Sequence, residues 1–319
     1  DYAIADGFYR IKRIYSGENW NPELRAPLTQ PGVNVSPGDH IIAVNEIPLK
    51  APINIYSLFE HTANRMTVLT VHSKPTAEGA RRVTVVPTAD ESALRHRAWV
   101  EDNRRKVHEA TDGRVAYVYL PNTAEAGYVS FNRYYFSQLS HEAVIIDERF
   151  NGGGSLADYI VDMLGRPILC YWATRDGKPF ASALSIPGPK VMIINEYAGS
   201  GGDALPLFFH RRGLGKLVGK RTWGGLIGIY SYPALMDGGR VTAPRMAIFS
   251  PAGQWEVENE GVQPDIEVEM TPKPVIEGHD PQLERAIKLV LEELKKKPVK
   301  HPPRPADPLR ARYVRSQGS

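Results

Sequence analysis

Short apolar runs alternate with turn residues along most of this chain, and a few segments instead repeat apolar side chains at helical spacing. In the first 87 residues, turns such as Pro37-Gly38-Asp39 separate the runs, which predicts a β-rich domain with one helix near residues 55–62. From residue 114, predicted strands alternate with predicted helices, as in an α/β layered domain. We predict three of these strands at residues 115–119, 143–147 and 191–195. The predicted fold class is therefore α/β (α+β), in two domains.

Two longer helices are predicted beside these domains. Thr88 and Glu91 have the spacing of a capping box, which predicts a linker helix that runs to Ala110 and is ended by Gly113. Asp280-Pro281 begins the second helix, whose apolar side chains recur at helical spacing. That stripe consists of Leu283, Ala286, Ile287, Val290, Leu291 and Leu294. The predicted organisation is a first domain at 1–87, a linker helix at 88–113, a second domain at 114–297 and a proline-rich basic tail at 298–319.

Composition excludes several function classes. The net charge is only +3 over 319 residues, and much of the basic excess falls in the tail, so we expect no nucleic-acid partner. The single Cys170 has no second cysteine for an internal disulfide, which fits either a reducing compartment or a fold that needs no disulfide. No apolar run approaches the ~20 residues that span a membrane. The chain begins at Asp1 inside a predicted strand, so we expect it to be a fragment of a larger polypeptide.

The clearest chemical indication is an apolar run at 191–194 followed by Tyr197-Ala198-Gly199-Ser200-Gly201-Gly202. The run is too short for a helix, and the next apolar segment starts at Ala204, so we predict a buried strand that turns sharply into a helix. Flanking glycines allow strained angles that lift the Ser200 hydroxyl clear of the sheet edge, as an acyl-transfer nucleophile requires. An ordinary N-cap serine is the alternative that this stretch alone leaves open.

A second glycine turn, Asn151-Gly152-Gly153-Gly154-Ser155, lies between a predicted strand and a predicted helix at 156–164. Three consecutive glycines leave N–H groups bare at a helix N-terminus, which suits a developing oxyanion. A phosphate could use the same geometry, but no Gly-Lys-Ser/Thr follows and the dinucleotide-binding spacing is missing. The pattern favours acyl transfer, and we expect no cofactor and no metal.

Four motifs together resemble the C-terminal part of tricorn proteases, in the family's order and at close to its spacing. They are Phe150-Asn151-Gly152-Gly153-Gly154, the segment 195–200, Arg221-Thr222-Trp223-Gly224-Gly225, and Val257-Glu258-Asn259-Glu260-Gly261-Val262-Gln263-Pro264-Asp265. Upstream, residues 37–45 resemble the second half of a PDZ domain. The resemblance implies an N-terminal PDZ-like β-barrel or sandwich, a crotonase-like α/β serine peptidase core and a C-terminal helix. It also implies a cytoplasmic hexamer that acts on oligopeptides, with no membrane partner.

By position, the resemblance also implies roles for individual residues. Ser200 matches the nucleophile, the N–H groups of Gly154 and Gly201 match the oxyanion hole, and Glu258 matches a carboxylate that orients the general-base histidine through a serine. In tricorn proteases that histidine and serine come from a catalytic domain upstream of the PDZ domain. Nothing in this chain matches them, so we expect the fragment alone to be essentially inactive.

Two positions depart from the family's pattern. Tricorn proteases often carry Asp directly after the nucleophile, where this chain has Gly201, a change without effect if only the backbone N–H is used. The acidic residue that selects basic side chains in the family is matched by Trp172, with Asp176 four residues further on. Because Trp172 offers a flat apolar wall, the sequence favours an apolar or aromatic preference over a trypsin-like one.

Three alternatives stay open, of which the closest is another peptidase. A C-terminal processing peptidase would use a Ser/Lys dyad, but Gly225 stands where its lysine belongs, and we interpret Lys216 and Lys220 as surface residues. A catalytically inert PDZ-containing assembly protein is the second alternative, against which the retention of Ser200 and Glu258 argues. An acyl-CoA enzyme of crotonase type ranks last, because it has no use for a serine on a turn.

Overall fold

A computed structural model of the chain describes residues 1–175, 179–181, 184–300 and 302–307. The chain divides into two compact units, Asp1–Asp102 and Asn103–Ser319. The first is β-rich and the second contains a parallel sheet with helices, which confirms the predicted α/β (α+β) class. The division falls inside the predicted linker helix, α1 (Ser92–Ala110). The crotonase-like detail of the second unit stays a prediction.

The first unit is built on one antiparallel sheet of six strands. These are β1 (Tyr2–Ala5), β2 (Phe8–Ile11), β3 (His40–Val44), β4 (Ile47–Pro48), β5 (Thr67–His72) and β6 (Arg81–Val85). Their order is β1-β2-β3-β5-β6, with β4 paired to β3. The predicted turn at 37–39 precedes β3, and Gly38 adopts φ +101°, which favours glycine. The predicted helix near 55–62 is instead a short 3₁₀ helix, Ile55–Phe59, in which the Asn54 side chain accepts a hydrogen bond from the Tyr56 N–H.

The start of α1 differs from the predicted capping box. The Ser92 N–H donates to Asp90 Oδ1 at 2.8 Å, while the Thr88 hydroxyl donates to the Asp90 carbonyl at 2.8 Å. Asp90 therefore supplies the cap, because its carboxylate lies two residues before a free N–H, whereas the Thr88 hydroxyl is engaged by the Asp90 carbonyl. The predicted end is confirmed, since Gly113 takes φ +69° and its N–H donates to the His108 carbonyl at 2.9 Å.

The second unit contains a five-stranded parallel sheet. In spatial order the strands are β15 (Ile266–Glu267), β12 (Gly215–Gly219), β11 (Lys190–Ile194), β8 (Ala143–Asp147) and β7 (Val115–Tyr119). Two antiparallel hairpins accompany it, β9 (Tyr171–Trp172) with β10 (Phe180–Ala181), and β13 (Gly228–Ser231) with β14 (Thr242–Met246). Every residue of β7, β8 and β11 is buried, which explains their uninterrupted apolar runs.

Helices cover this sheet. They are α2 (Glu125–Phe136), α3 (Ala157–Leu164), α4 (Gly201–Arg211) and α6 (Pro281–Lys296), while the short helix α5 (Pro272–Ile276) has no buried residue. In α6 the predicted stripe is buried at Leu283, Ala286, Val290 and Leu294. Ile287 and Leu291 lie at its edge and are half-buried. The described part of the tail, residues 298–300 and 302–307, forms neither helix nor strand.

The strand register brings four loops to one edge of the sheet. Asp147 pairs with both Tyr119 and Ile193, and Ile194 pairs with Gly219, so the ends of four neighbouring strands are level. In open parallel sheets, ligands bind in the crevice outside these carboxyl ends. The loops that follow β7, β8, β11 and β12 therefore meet where a binding site is expected.

Candidate active site

Ser200 lies on a strained turn between β11 and α4. Its φ of 56° and ψ of −116° fall in a region that residues with a β-carbon rarely occupy. Ser200 stands at the N-cap position of α4, but its side chain makes no capping hydrogen bond. The N-cap interpretation of its hydroxyl is therefore wrong, and Oγ stays available for chemistry on a half-buried residue.

Backbone hydrogen bonds from neighbouring loops hold this turn. The Ser200 N–H donates to the Gly225 carbonyl at 2.9 Å, and the Gly199 N–H donates to the Asn151 carbonyl at 3.1 Å. The Trp223 N–H donates to the Ala198 carbonyl at 2.8 Å. The strained conformation is thus fixed by loops that follow β8 and β12, as a preorganised nucleophile requires.

The glycine run after β8 lies directly against Ser200. A β-carbon on Gly153 would stand 2.7 Å from Ser200 Cβ and 3.1 Å from Ser200 Oγ. Gly153 and Gly154 adopt φ of +87° and +133°, where L side chains are strained. The Thr123 N–H donates to the Gly153 carbonyl at 2.9 Å and ties the run to the loop after β7. The serine and the glycine run, predicted separately from sequence, are therefore neighbours.

The two amides assigned to an oxyanion hole are also neighbours. A β-carbon on Gly201 would stand 2.7 Å from the Gly154 nitrogen, 2.3 Å from the Gly154 oxygen and 2.0 Å from Thr123 Oγ1. Neither the Gly154 nor the Gly201 N–H donates a hydrogen bond within residues 1–175, 179–181, 184–300 and 302–307. Two uncommitted amides beside a serine hydroxyl are the elements of an oxyanion hole. The structure also shows that position 201 has no room for an Asp side chain without movement of its neighbours.

Glu258 lies on a loop that contacts the same segment as Ser200. Its Oε2 accepts the N–H groups of Leu226 and Ile227, both at 2.8 Å, directly after Gly225, whose carbonyl holds Ser200. The loop has strained neighbours, since Val257 takes φ 73°. In the described part of the chain, Oε1 accepts no hydrogen bond, so one carboxylate oxygen is fixed and the other is available.

Two buried acids near the turn were missed from the sequence. Asp203, in the first turn of α4, accepts the Thr222 hydroxyl at 2.6 Å and the Gly224 N–H at 2.8 Å through Oδ1. Burial raises the pKa of Asp203. Burial also raises the pKa of Glu148 well above its ordinary value, and the charges of Asp203 and Asp147 raise it further. Glu148 therefore favours its neutral form, while Asp203 links α4 to the loop that holds Ser200.

A buried ion-pair network anchors β8 to α6. Arg149 Nη2 lies 2.6 Å from Asp147 Oδ2, and its Nη1 lies 2.9 Å from Asp280 Oδ2. The Tyr117 hydroxyl donates to Asp147 Oδ2 at 2.8 Å, and Asp280 Oδ1 caps α6 by accepting the Leu283 N–H at 3.0 Å. The sequence signal for this network was a run of charged residues, 147–149, at the end of an otherwise apolar strand.

The remaining predicted residues lie elsewhere or outside the description. Trp172, on β9, is 59% exposed and pairs with Phe180, and no hydrogen bond joins it to Ser200 among the described residues. Its role in specificity stays a prediction. Asp176 lies outside the described residues. Lys216 pairs with Asp265 at 2.7 Å, and Lys220 pairs with Glu267 at 2.6 Å and with Glu269 at 2.8 Å.

Neither a metal-binding cluster nor a membrane-spanning helix is found among the residues that the structure describes. There, no group of three or more His, Cys, Asp or Glu side chains could hold a metal ion. Of the helices between residues 1 and 307 that the structure describes, none combines the length and apolar character needed to cross a bilayer.

Comparison with known families identifies relatives of both units. Residues 1–90 match the tricorn protease PDZ domain, and residues 114–268 match Peptidase family S41. The PDZ-like nature of the first unit is thereby confirmed.

Individual proteins agree with these matches. Tricorn protease homolog 1 of Streptomyces coelicolor is 38% identical over 299 residues, which cover 93% of this chain and 28% of that protein. A putative tricorn-like protease C-terminal subunit of Sulfurisphaera tokodaii is 40% identical over 302 residues, 93% of this chain and 34% of that protein. A crystal structure of the tricorn protease matches with a TM-score of 0.84 and 34% identity, covering 92% of this chain and 29% of that one. The resemblance inferred from four motifs is confirmed, and the chain spans about a third or less of these proteins' length.

Proposed function

Because this chain is related to the tricorn proteases and carries a Peptidase family S41 domain, we propose that it contributes the serine nucleophile of an oligopeptide-hydrolysing peptidase. One observation carries the proposal. The strained Ser200 lies against Gly153, beside two amides whose N–H groups are uncommitted in the described part of the chain. Such donors, fixed before the reaction, stabilise the charge that develops in acyl transfer.

In the proposed reaction, Ser200 Oγ attacks the carbonyl carbon of the scissile peptide bond and gives its proton to a general base. The carbonyl π electrons move to oxygen, where the Gly154 and Gly201 N–H groups donate to the negative charge. The base returns the proton to the amine nitrogen as the C–N bond breaks. Water, activated by the same base, then attacks the ester and releases Ser200 and the new carboxylic acid.

The general base is proposed to be a histidine supplied by sequence outside this chain. Among the described residues, neither the Ser200 nor the Glu258 side chain forms a hydrogen bond with a histidine, which supports an external base. Glu258 would orient that base through its available Oε1, by way of an intervening serine, while Oε2 stays fixed by Leu226 and Ile227.

The Ser/Lys alternative is disfavoured by the ion pairs of both candidate lysines. The hydrogen bonds that Lys220 donates to Glu267 and Glu269 raise its pKa, and the bond that Lys216 donates to Asp265 raises the pKa of Lys216. A lysine base must instead have a lowered pKa to accept a proton near neutrality.

The family resemblance supports finer proposals. We extend to this protein the cytoplasmic location and the hexameric assembly of tricorn proteases. The exposed Trp172 supports an apolar rather than a basic preference at the cleavage site.

Fluorophosphonate labelling tests the proposal, because the reagent needs an activated serine. In the complete native polypeptide we expect rapid labelling that Ser200→Ala abolishes and Lys220→Ala leaves unchanged. Residues 1–319 alone should label much more slowly. Equal labelling of this fragment would refute the external base, and an unlabelled native protein would favour the inert assembly protein.

A further inference from the structure

Two large aromatic side chains are exposed beside the proposed nucleophile. Phe150 and Tyr197 stack with their ring centroids 5.5 Å apart and their planes at 20°, yet they are 52% and 67% exposed. Phe150 lies two residues before the first glycine of the run, and Tyr197 lies three residues before Ser200. Large exposed apolar groups next to one another commonly mark a surface that binds something.

Hydrogen bonds to one buried side chain hold the backbone of both residues in place. The buried Asn195 accepts the Phe150 N–H at 2.9 Å and the Tyr197 N–H at 3.3 Å through the same Oδ1. One amide oxygen thus fixes the backbone of two loops, one after β8 and one after β11. The aromatic faces are therefore preorganised, which reduces the conformational entropy lost when a ligand binds.

Phe150 also adopts a backbone conformation that needs an explanation. Its φ is +65°, which is unfavourable for a bulky residue with a β-carbon. Asparagine or glycine would take this conformation more easily. Such strain persists where the surroundings impose it, and it is concentrated at ligand-binding and catalytic sites.

The distance to the reacting atoms points to a peptide ligand. Tyr197 is three residues from Ser200, and Phe150 is three residues from Gly153, which touches Ser200. Since an extended chain advances about 3.3–3.6 Å per residue, the Tyr197 α-carbon lies within roughly 11 Å of the Ser200 α-carbon, and the Phe150 α-carbon within roughly 11 Å of the Gly153 α-carbon. The two stacked rings therefore lie within a few residues' length of the nucleophile. A side chain one to three residues from the scissile bond would reach them.

We propose that Phe150 and Tyr197 form a subsite for an apolar or aromatic side chain of the peptide substrate, within three residues of the scissile bond. This inference rests on the proposed peptidase function. It deepens that function by assigning a substrate class to two residues other than Trp172. The occupant's ring or aliphatic chain would pack on the exposed aromatic faces, with specificity from apolar contact and ring geometry.

The test compares Tyr197→Ala with Tyr197→Phe in the complete native polypeptide. Substrates are two peptide series, one of Ala and Gly only and one with a single Leu or Phe placed in turn at each position near the cleaved bond. We expect Tyr197→Ala to lower kcat/KM about tenfold for the peptides whose Leu or Phe reaches the subsite, mainly through KM. In Tyr197→Ala, kcat/KM for the Ala and Gly series and the rate of fluorophosphonate labelling of Ser200 should change less than about twofold. Tyr197→Phe should resemble the wild type with both peptide series.

Tyr128→Ala is the matched control. Tyr128 is 46% exposed and packs against Tyr159 with ring centroids 5.3 Å apart and planes at 42°, but it lies on α2 and has no hydrogen bond to Asn195 among the described residues. It should behave as the wild type with both peptide series.

Each contrary outcome has a separate meaning. If Tyr197→Ala slowed all peptides equally, slowed labelling, or changed the assembly state on gel filtration, the pair would serve the turn or an interface, and the subsite would be refuted. Unchanged kinetics with Leu and Phe peptides would also refute it while leaving the peptidase function standing. A native protein without peptidase activity or labelling would refute the proposed function and, with it, this inference.

Discussion

Gly152 and Gly153 are neighbours in one glycine run, but a β-carbon at each would meet different surroundings. At Gly153 it would lie 2.7 Å from Ser200 Cβ and 3.1 Å from both Ser200 Oγ and the Gly199 oxygen, on a backbone with φ +87°. At Gly152 the nearest atom would be the Pro121 oxygen at 3.9 Å, an ordinary contact. We therefore expect Gly153→Ala to disable the nucleophile and Gly152→Ala to leave it intact.

Two effects combine at Gly153. A β-carbon in the left-handed region costs about 1–2 kcal/mol, which should appear as lost stability. Relief of the 2.7 Å contact to an ordinary carbon–carbon distance requires Ser200 or the glycine run to move by roughly 1 Å. Because a misplacement of ~1 Å can reduce a rate about a hundredfold, we expect a loss of that order in kcat and in labelling rate.

The assay is fluorophosphonate labelling of the complete native polypeptide over a time course, beside thermal unfolding of each variant. Gly152→Ala should label within about twofold of the wild type, the tolerance expected when an added methyl finds open space. The unfolding temperatures distinguish a misplaced serine from a misfolded protein. A hundredfold loss of labelling rate in a variant that still unfolds cooperatively arises from a change at the active site. Equal labelling of the two variants would refute the packing of the glycine run against Ser200.

Two further predictions concern carboxyl groups near the site. Glu258→Gln keeps an acceptor for the Leu226 and Ile227 N–H groups but replaces the orienting oxygen with NH₂, so kcat should fall about a hundredfold or more with little change in unfolding temperature. An unchanged kcat would remove Glu258 from the mechanism. Burial raises the pKa of Glu148 in the folded state above its ordinary value of 4.5, so folding takes up a proton once the pH exceeds 4.5. The free energy of unfolding should therefore fall as the pH rises, by up to about 1.4 kcal/mol per pH unit. Urea unfolding from pH 5 to 8 should show that Glu148→Gln removes this slope and leaves only the weaker contribution of Asp203. If the variant and the wild type lost stability in parallel over this pH range, the raised pKa of Glu148 would be refuted.

Much of the local structure was predictable because its causes lie close together in the sequence. The apolar run before Ser200 and the glycines around it predicted a strand, a sharp turn and a helix, and β11 and α4 follow that pattern. Asp280-Pro281 predicted the start of α6, where Asp280 indeed caps the helix. Each of these features depends on residues within a few positions of one another.

Local signals were less reliable where two of them competed. Thr88 and Asp90 both had the chemistry of a helix cap, and the cap was decided by which side chain reached the free N–H of Ser92. The segment Ile55–Phe59 formed a 3₁₀ helix although its apolar spacing also fitted an α-helix. Such choices depend on small energy differences that a pattern of residue types does not resolve.

The sequence alone determined which residue types carry chemistry: a serine on a glycine turn, a glycine run after a strand, and motifs shared with tricorn proteases. Only the tertiary structure decided that these are one site, because Ser200, Gly153 and Gly225 belong to loops after three different strands. Parallel register made the ends of those strands level and so brought their loops together. Burial of Glu148 and the stacking of Phe150 on Tyr197 arise from the same assembly of distant segments, which no local spacing encodes.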